Sequence, residues 1–468
     1  MTYQLPQNIN KNKIFIVNRS TVDNRLDAQY YSANLDLSGF VKLSSVVIVK
    51  GGKRIPKGYG YSNEQTPYHY LRVADMDSDA QVEVNSLMNI SKEVFDILER
   101  YEIFEGELAI SIAGTIGKTI ILKNIPADKR VILTENCAKI LAKPNVGLLP
   151  EYLKLCLELP IVKKQLDLNY IQTTIPKLGL DKIVGIKIPP IPCMQKQQEI
   201  VDYVNEAYTQ KQAKETEAQQ LLDSIDDYLL KELGITIPEI KTEIYNRMFI
   251  VQHSELKGRY TPSLYKDAVN LHSTTYENRP LSHLAYVNPN TRLPYQDEKM
   301  MISFVPMESV NEIYAEINDN KDCPIAETKG FTRFQEGDLL WAKITPCMEN
   351  GKSAIAKDLI NGYGCGSTEF HVIRPKNDNL LVEYIHSLLH MKCVRQTAKL
   401  YFGGSAGQQR VAIDFLDNFN VPLPPKAKQQ QIVNYIADIR TRAKALQTEG
   451  KAILEDAKHK VEQMIIDK

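Results

Sequence analysis

Ile188-Pro-Pro-Ile-Pro192 runs through Cys193 and Met194 into Gln197-Gln-Glu-Ile-Val-Asp-Tyr-Val204, and about 232 residues later Val421-Pro-Leu-Pro-Pro425 runs into Gln429-Gln-Gln-Ile-Val-Asn-Tyr-Ile436. Each copy opens a long stretch with the composition of a helix. From Met194 to Leu233 there is neither proline nor glycine, and the stretch ends at Gly234 with Pro238 just beyond, the signals of a helix C-terminus. Lys426 to about Ile466 repeats the pattern, interrupted only by Gly450.

The flanking segments, from about 14 to 190 and from about 240 to 425, mix short β-type runs with turns and a few helical stretches. Val46-Val-Ile-Val49, Leu108-Ala-Ile-Ser-Ile112 and the helical stretch Pro150 to Leu166 typify the first. The chain therefore predicts an α+β fold in four parts: globular domains at 1–192 and 235–425, and spacer helices at 193–234 and 426–468. Glu105-Gly-Glu-Leu108 matches Glu336-Gly-Asp-Leu339, and Leu180, Ile183 and Ile186 match Ile413, Leu416 and Phe419. The entrances Arg25-Leu-Asp-Ala-Gln-Tyr-Tyr31 and Arg259-Tyr-Thr-Pro-Ser-Leu-Tyr265 are also alike. Between these anchors the halves diverge, as expected of one scaffold carrying two recognition surfaces.

Steps of four and three from Ile200 give Val204, Ala207, Lys211, Lys214, Ala218, Leu221, Ile225, Tyr228 and Glu232. The same steps from Ile432 give Ile436, Ile439, Ala443, Leu446, Gly450, Ile453, Ala457, Lys460 and Met464. The lysines make poor seam residues for a homodimeric zipper. The preferred arrangement packs the two helices on each other as an antiparallel coiled coil, with a pseudo-two-fold internal repeat. A helix of this length spans roughly 50 Å, against about 34 Å for one turn of B-DNA.

The 468 residues are 43% apolar and 24% charged, with 57 basic and 57 acidic side chains. This is a globular composition whose balanced charge argues against a protein that coats nucleic acid unaided. No membrane span or signal peptide is read, which predicts a cytoplasmic protein without membrane contact. Cys137, Cys156, Cys193, Cys323, Cys347, Cys365 and Cys393 are scattered and never spaced C-x-x-C, so neither disulfides nor a zinc knuckle is expected. Ala113-Gly-Thr-Ile-Gly-Lys118 lacks the spacing of a phosphate loop, and His386-Ser-Leu-Leu-His390 lacks the glutamate of a zinc protease. No catalytic residue and no metal ligand is assigned. Trp341, in an apolar run, reads as core.

Candidate DNA contacts begin with Lys50-Gly-Gly-Lys-Arg-Ile-Pro-Lys-Gly-Tyr-Gly-Tyr61, which offers Lys50, Lys53, Arg54 and Lys57 for phosphates and Tyr59 and Tyr61 for a groove. Its counterpart Asn288-Pro-Asn-Thr-Arg-Leu-Pro-Tyr295 contributes Arg292 and Tyr295. Two later loops, Tyr170-Ile-Gln-Thr-Thr174 with Lys177, and Tyr401-Phe-Gly-Gly-Ser-Ala-Gly-Gln-Gln-Arg410, contribute Gln172, Lys177, Gln408, Gln409 and Arg410. Glutamine and arginine suit adenine and guanine edges respectively.

The order domain, helix, domain, helix, the proline-rich entrances followed by Gln and Ile-Val-x-Tyr, and the segments Ala113-Gly-Thr-Ile-Gly117, Gly337-Asp-Leu-Leu-Trp-Ala-Lys343 and Gly366-Ser-Thr-Glu-Phe370 resemble the specificity subunit of type I restriction-modification enzymes. That resemblance implies two target-recognition domains reading a bipartite, asymmetric double-stranded DNA site. It also implies docking of two methyltransferase subunits and of motor-nuclease subunits, with S-adenosylmethionine, ATP and Mg on those partners and no cofactor on this chain. Two alternatives remain at this level: a duplicated scaffold or regulator binding two proteins without reading DNA sequence, and an enzyme whose catalytic motif is unfamiliar.

Overall fold

A computed structural model describes residues 16–17, 33, 35–76, 82–169, 176–237, 269, 271–293, 299–404 and 408–466. The entrances at 25–31 and 259–265 lie outside them. The chain divides into two compact units: one reaches Gln210 and resumes at Ala452, and the other is Lys211–Lys451. The division runs through the two long helices, Met194–Glu232 and Lys426–Ile466, so each unit holds a globular domain and a part of both.

In the first unit β1 (Val41–Lys42) pairs with β10 (Lys187–Ile188), which leads into the first long helix. An antiparallel sheet has the order β2 (Val47–Gly51), β9 (Cys137–Ala142), β6 (Leu108–Ser111), β7 (Thr119–Ile121). A second sheet runs β4 (Met88–Asn89), β3 (Tyr68–Leu71), β8 (Arg130–Leu133), β5 (Glu102–Ile103), with β3 and β8 parallel.

The second unit repeats this plan. β11 (Asn278–Pro280) pairs with β22 (Asn420–Pro422), and one sheet runs β12 (Ala285–Val287), β19 (Phe370–Pro375), β16 (Leu339–Ala342), β17 (Ser353–Ile355). The other runs β14 (Lys321–Pro324), β13 (Met301–Val305), β18 (Tyr363–Gly366), β15 (Thr332–Gln335), with β13 and β18 parallel. A short hairpin, β20 (Phe402–Gly403) with β21 (Arg410–Val411), is added. Leu108 faces Ile140 in one unit and Leu339 faces Ile373 in the other, so even the register repeats.

The shared motif Glu-Gly-Glu/Asp-Leu now has a physical cause. Gly106 and Gly337 turn the chain with φ of 80° and 83°, a region glycine enters without penalty. The first acid caps the far turn: Glu105 accepts from the Asn124 N–H, and Glu336 from those of Asp358 and Leu359. The second caps its own turn, Glu107 accepting from Phe104 N–H and Asp338 from Gln335 N–H. Each also holds a cation of the neighbouring strand, Lys139 at 3.0 Å and Arg374 at 2.6 Å. The apolar strands that follow are fully buried, and Trp341 is core, stacked 5.9 Å from Phe415.

The repeated glutamine is a clamp. Gln197, wholly buried, accepts from Leu149 N–H at 2.9 Å and donates to the carbonyls of Gly147 and Pro192 at 2.7 and 2.8 Å. Gln429 accepts from Leu381 N–H and donates to the carbonyls of Asn379 and Pro424, each at 2.9 Å. One amide thus ties the start of each long helix to its proline entrance and to the loop before helix Pro150–Glu158 or Val382–His390. Tyr152 and Tyr384 reinforce the same junction by donating to Pro190 and Pro422 carbonyls.

The stretch read as one helix from Pro150 to Leu166 is two, Pro150–Glu158 and Pro160–Asp167, broken at Leu159. A residue before proline is pushed out of helical conformation. The second unit breaks equivalently at Met391 without a proline, so packing contributes as well.

The first long helix stops where its sequence says. Gly234 is left-handed (φ 60°), with Ile235 N–H bonded to Leu230 carbonyl. Within each unit the two long helices pair antiparallel. In the first, Ile200, Val204 and Ala207 are buried with Leu454, Ala457, Val461 and Ile465. In the second, Ile225 and Leu229 are buried with Ile432, Ile436 and Ile439, while Leu221 and Leu446 are half-buried. Tyr228 stacks on Tyr435 at 3.9 Å, and Lys214 pairs with Glu449 at 3.0 Å.

The heptad steps need one correction. Beyond Gly450 the buried line is Leu454, Ala457, Val461 and Ile465, one residue past Ile453, Lys460 and Met464; Ile453 and Met464 are half-buried, and Lys460 lies over the Tyr203 ring. The first helix likewise buries Leu229 and Leu233 instead of Tyr228 and Glu232. A straight helix drifts about 20° per heptad against a strict seven-residue repeat, which moves the seam. Gly450 marks close approach, since a Cβ there would sit 3.4 Å from Lys211 O and Lys214 Cβ. That spacing accepts a methyl group. Gly450→Ala is therefore expected to stabilise the chain by about 0.5–1 kcal/mol through helix propensity, and Gly450→Leu to destabilise it by about 1–3 kcal/mol through overpacking, as read by denaturant unfolding.

Candidate nucleic-acid interface

In the first unit the loop after β2 begins under tight constraint. A Cβ on Gly52 would lie 2.1 Å from Thr134 O, so only glycine lets the chain pass against the Leu133–Thr134 backbone. Gly52 N–H bonds to Cys137 O at 2.9 Å and Lys53 N–H to Leu133 O at 3.0 Å. With the loop pinned there, Arg54 donates to the Glu135 carboxylate at 2.6 Å while its side chain stays 79% exposed. Burial alone would raise the Glu135 carboxyl, but hydrogen bonds from Arg54, its own N–H and Thr134 bring it below the usual range. Tyr70 donates to Lys53 O at 2.8 Å, and burial pushes its phenol up to about 12.

These groups surround a cleft of about 340 Å³ lined by Arg54, Tyr61, Tyr70, Arg72, Glu135 and Asn136, among others. Arg72 is held by a forked pair to Asp75. Tyr59 and Tyr61 are 42% and 45% exposed, Tyr59 donating to Glu93 and Tyr61 lying 6.0 Å from the Tyr70 ring. Lys50, Lys53 and Lys57 point to solvent. The predicted basic loop is thus a fixed edge of a cleft, with Arg54 and Tyr61 in its wall.

The later loops are partly described: Gln172 and Tyr295 lie outside the described residues. Lys177 is exposed and bridges to Ala113, in the turn Ala113-Gly-Thr-Ile-Gly117 that links β6 to β7. Arg410 bridges to Ile344 in the same way. The two cations therefore occupy equivalent places in the two domains. Leu178 N–H bonds to Ile112 O and Ile112 N–H to Asn136 O, which ties this ladder to the cleft wall. Arg410 donates two parallel bonds of 2.8 Å to Glu369 and a third to Gln408 O. The guanidinium fork proposed for a guanine edge is already occupied, and these bonds hold the Glu369 carboxyl below the usual range. Gln408 is exposed, Gln409 half-buried, and Arg292 exposed.

The second unit has its own cleft, of about 360 Å³, where Asn288–Thr291 faces Lys329–Arg333, with Lys343 in the wall. Asn288 sits at φ 52°, its side chain bonded to Val372 N–H and His371. Phe331, 41% exposed, stands between the cations against Phe304. The segment Lys329-Gly-Phe-Thr-Arg333 was missed. It interleaves basic and aromatic residues as 50–61 does, and that signal could have found it.

His386 is buried and His390 half-buried. Each has a protein partner, Ser353 Oγ at 3.0 Å and Glu312 O at 3.2 Å. Among the described residues no group of three His, Cys, Asp or Glu side chains is placed to hold a metal. Burial, with Arg440 nearby, holds His386 well below the ordinary imidazole range and His390 down to about 3. Since both folded values lie below the unfolded ~6.5, the unfolded chain takes up more protons on acidification. Stability is full above about pH 6.5 and falls as the pH drops toward 3. His390→Gln is expected to flatten the slope of unfolding free energy between pH 6.5 and 5 by up to about 1.4 kcal/mol per pH unit, measured by urea titration at each pH.

A family model described as the type I restriction modification DNA specificity domain matches residues 36–223 and again 274–455. The specificity subunit of the type I restriction enzyme EcoEI of Escherichia coli is 35% identical over 188 residues, covering 40% of this chain and 31% of the relative. That of EcoAI, also from Escherichia coli, is 34% identical over 197 residues, covering 41% and 32%. Each match spans about a third of the relative's length. A solved chain from work on complex assembly and conformational transition of the type I R-M system aligns with TM-score 0.50 at 15% identity, over 91% of this chain and 96% of that one. At that identity the likeness is one of fold.

Proposed function

The chain belongs to the type I restriction-modification DNA specificity family, and we propose that it is the subunit that selects the DNA site for a multi-subunit methyltransferase and restriction enzyme. Each globular domain reads one half of a bipartite, asymmetric site. One observation carries this reading: the same pair of four-stranded sheets is built twice with equivalent clamps, turns and ion pairs, while the cleft edges differ in charge and shape. Two different reading surfaces on one scaffold fit two unlike half-sites.

Chemistry is supplied by partners. Two methyltransferase subunits carry S-adenosylmethionine, and motor-nuclease subunits carry ATP and Mg; this chain contributes recognition and the helices on which they assemble. It works in the cytoplasm, with the DNA. With a formal charge of zero and few cations per cleft, the isolated chain should bind duplex DNA weakly, because affinity follows the number of phosphates neutralised. Mapping methylated adenines in genomes with and without the gene tests the reading. A two-part interrupted motif that disappears with the chain supports it, and a methylation pattern indifferent to the chain overturns it.

A further inference from the structure

The two domains share a scaffold but place their cations differently. In the first, the loop after β2 carries Lys53, Arg54 and Lys57 with Tyr59 and Tyr61, whereas the turn Glu99-Arg100-Tyr101 carries one acid and one cation and leads into Glu102 at the start of β5. Glu102 is buried and forms a forked ion pair with Arg130. The register of β15 on β18 and of β5 on β8 makes Arg333 the equivalent of Glu102, and with no insertion up to the shared Glu-Gly-acid-Leu turn, Lys329 replaces buried Leu98 and Lys343 replaces buried Ile112. Three positions that are acidic or apolar in the first domain are cations in the second, and all three line one cleft.

Between two of them stands Phe331, on a turn made by Gly330 at φ 90°. Its ring is 41% exposed and is braced by Phe304 at 5.0 Å. A large apolar ring held at a polar, cationic cleft mouth loses hydration cost only if something covers it. The loop opposite, Asn288–Thr291, supplies polar groups, and the residue after it, Arg292, is an exposed cation.

Resting on the function proposed above, we propose that the turn Lys329–Arg333 is the principal DNA contact of the second domain. It takes the part played in the first by the loop 52–61: Lys329 and Arg333 hold phosphates, and Phe331 makes an apolar contact to a base edge, such as a thymine methyl, in the groove between them. The two domains therefore meet DNA with different loops of one scaffold. This gives a physical reason for the weak basic character of 288–295.

The test uses the complex of this chain with its methyltransferase partners, titrated across salt concentrations on a duplex carrying the mapped motif and on a scrambled duplex. Phe331→Ala is expected to weaken binding to the motif about tenfold with the salt slope unchanged. Lys329→Ala is expected to weaken binding to both duplexes and to lower the slope by about 0.9. Both side chains are exposed enough for the variants to fold, and Arg100→Ala, at the position equivalent to Phe331 in the first domain, should leave the second half-site preference intact. If the wild-type complex selects its motif and both variants do so equally well with the same slope, the assignment is overturned and the function stands. A wild-type complex that binds both duplexes alike overturns the function, and the assignment with it.

Discussion

Gln429→Ala is expected to lower the unfolding free energy of the chain by about 3 kcal/mol or more. The amide is wholly buried and makes three hydrogen bonds, to Leu381 N–H and to the carbonyls of Asn379 and Pro424. A buried hydrogen bond contributes about 1 kcal/mol net, and leaving its partner unsatisfied costs about 1–3 kcal/mol. Alanine also leaves a cavity. Gln197→Ala removes the same three bonds from Leu149, Gly147 and Pro192, so the two substitutions should cost similar amounts. Gln198→Ala and Gln430→Ala are the controls, since those amides are exposed and bond to Asp202 and Asn434 one turn on; each should change stability by less than about 0.5 kcal/mol. Thermal and denaturant unfolding read the difference. A buried-glutamine variant as stable as its neighbour's would show that the clamp does not hold the helix entrance.

Gly52→Ala should disable reading through the first domain. Its new Cβ would lie 2.1 Å from Thr134 O and 2.3 Å from Leu133 O, both backbone atoms that cannot swing aside. Either the loop moves or the end of β8 does, and the bonds Gly52 N–H to Cys137 O and Lys53 N–H to Leu133 O are lost. Arg54 then leaves Glu135, and the cleft wall shifts with it. The expected loss at the motif is about 100-fold, roughly 2.7 kcal/mol, read by duplex titration of the assembled complex. Gly60→Ala meets nothing within 4 Å and should bind as the wild type. Equal binding by both variants would mean that the loop 52–61 takes no part in recognition.

The long helices and their stop at Gly234 were legible because composition, absence of proline and a left-handed glycine are local signals. The repeat was legible because both copies keep Pro, Gln and Ile-Val-x-Tyr in step. Side-chain partners far apart in sequence were hidden: nothing local to Gln429 says that it reaches Asn379, or to Arg410 that its fork is held by Glu369. Lys329 and Phe331 carried a usable local signal, but their cleft forms only when β15 and β19 share the fold. The heptad steps failed beyond Gly450 in the second helix and beyond Ile225 in the first because a straight helix turns every 3.6 residues, and counting in sevens cannot follow it.

The most direct measurement is a domain exchange. Residues 1–192 are replaced by the corresponding domain of another member of the family, and methylated adenines are mapped across the genome. A new motif is expected, in which one half changes while the other half is kept. A motif altered in both halves, or left unchanged, would contradict the claim that two independent reading heads share this scaffold.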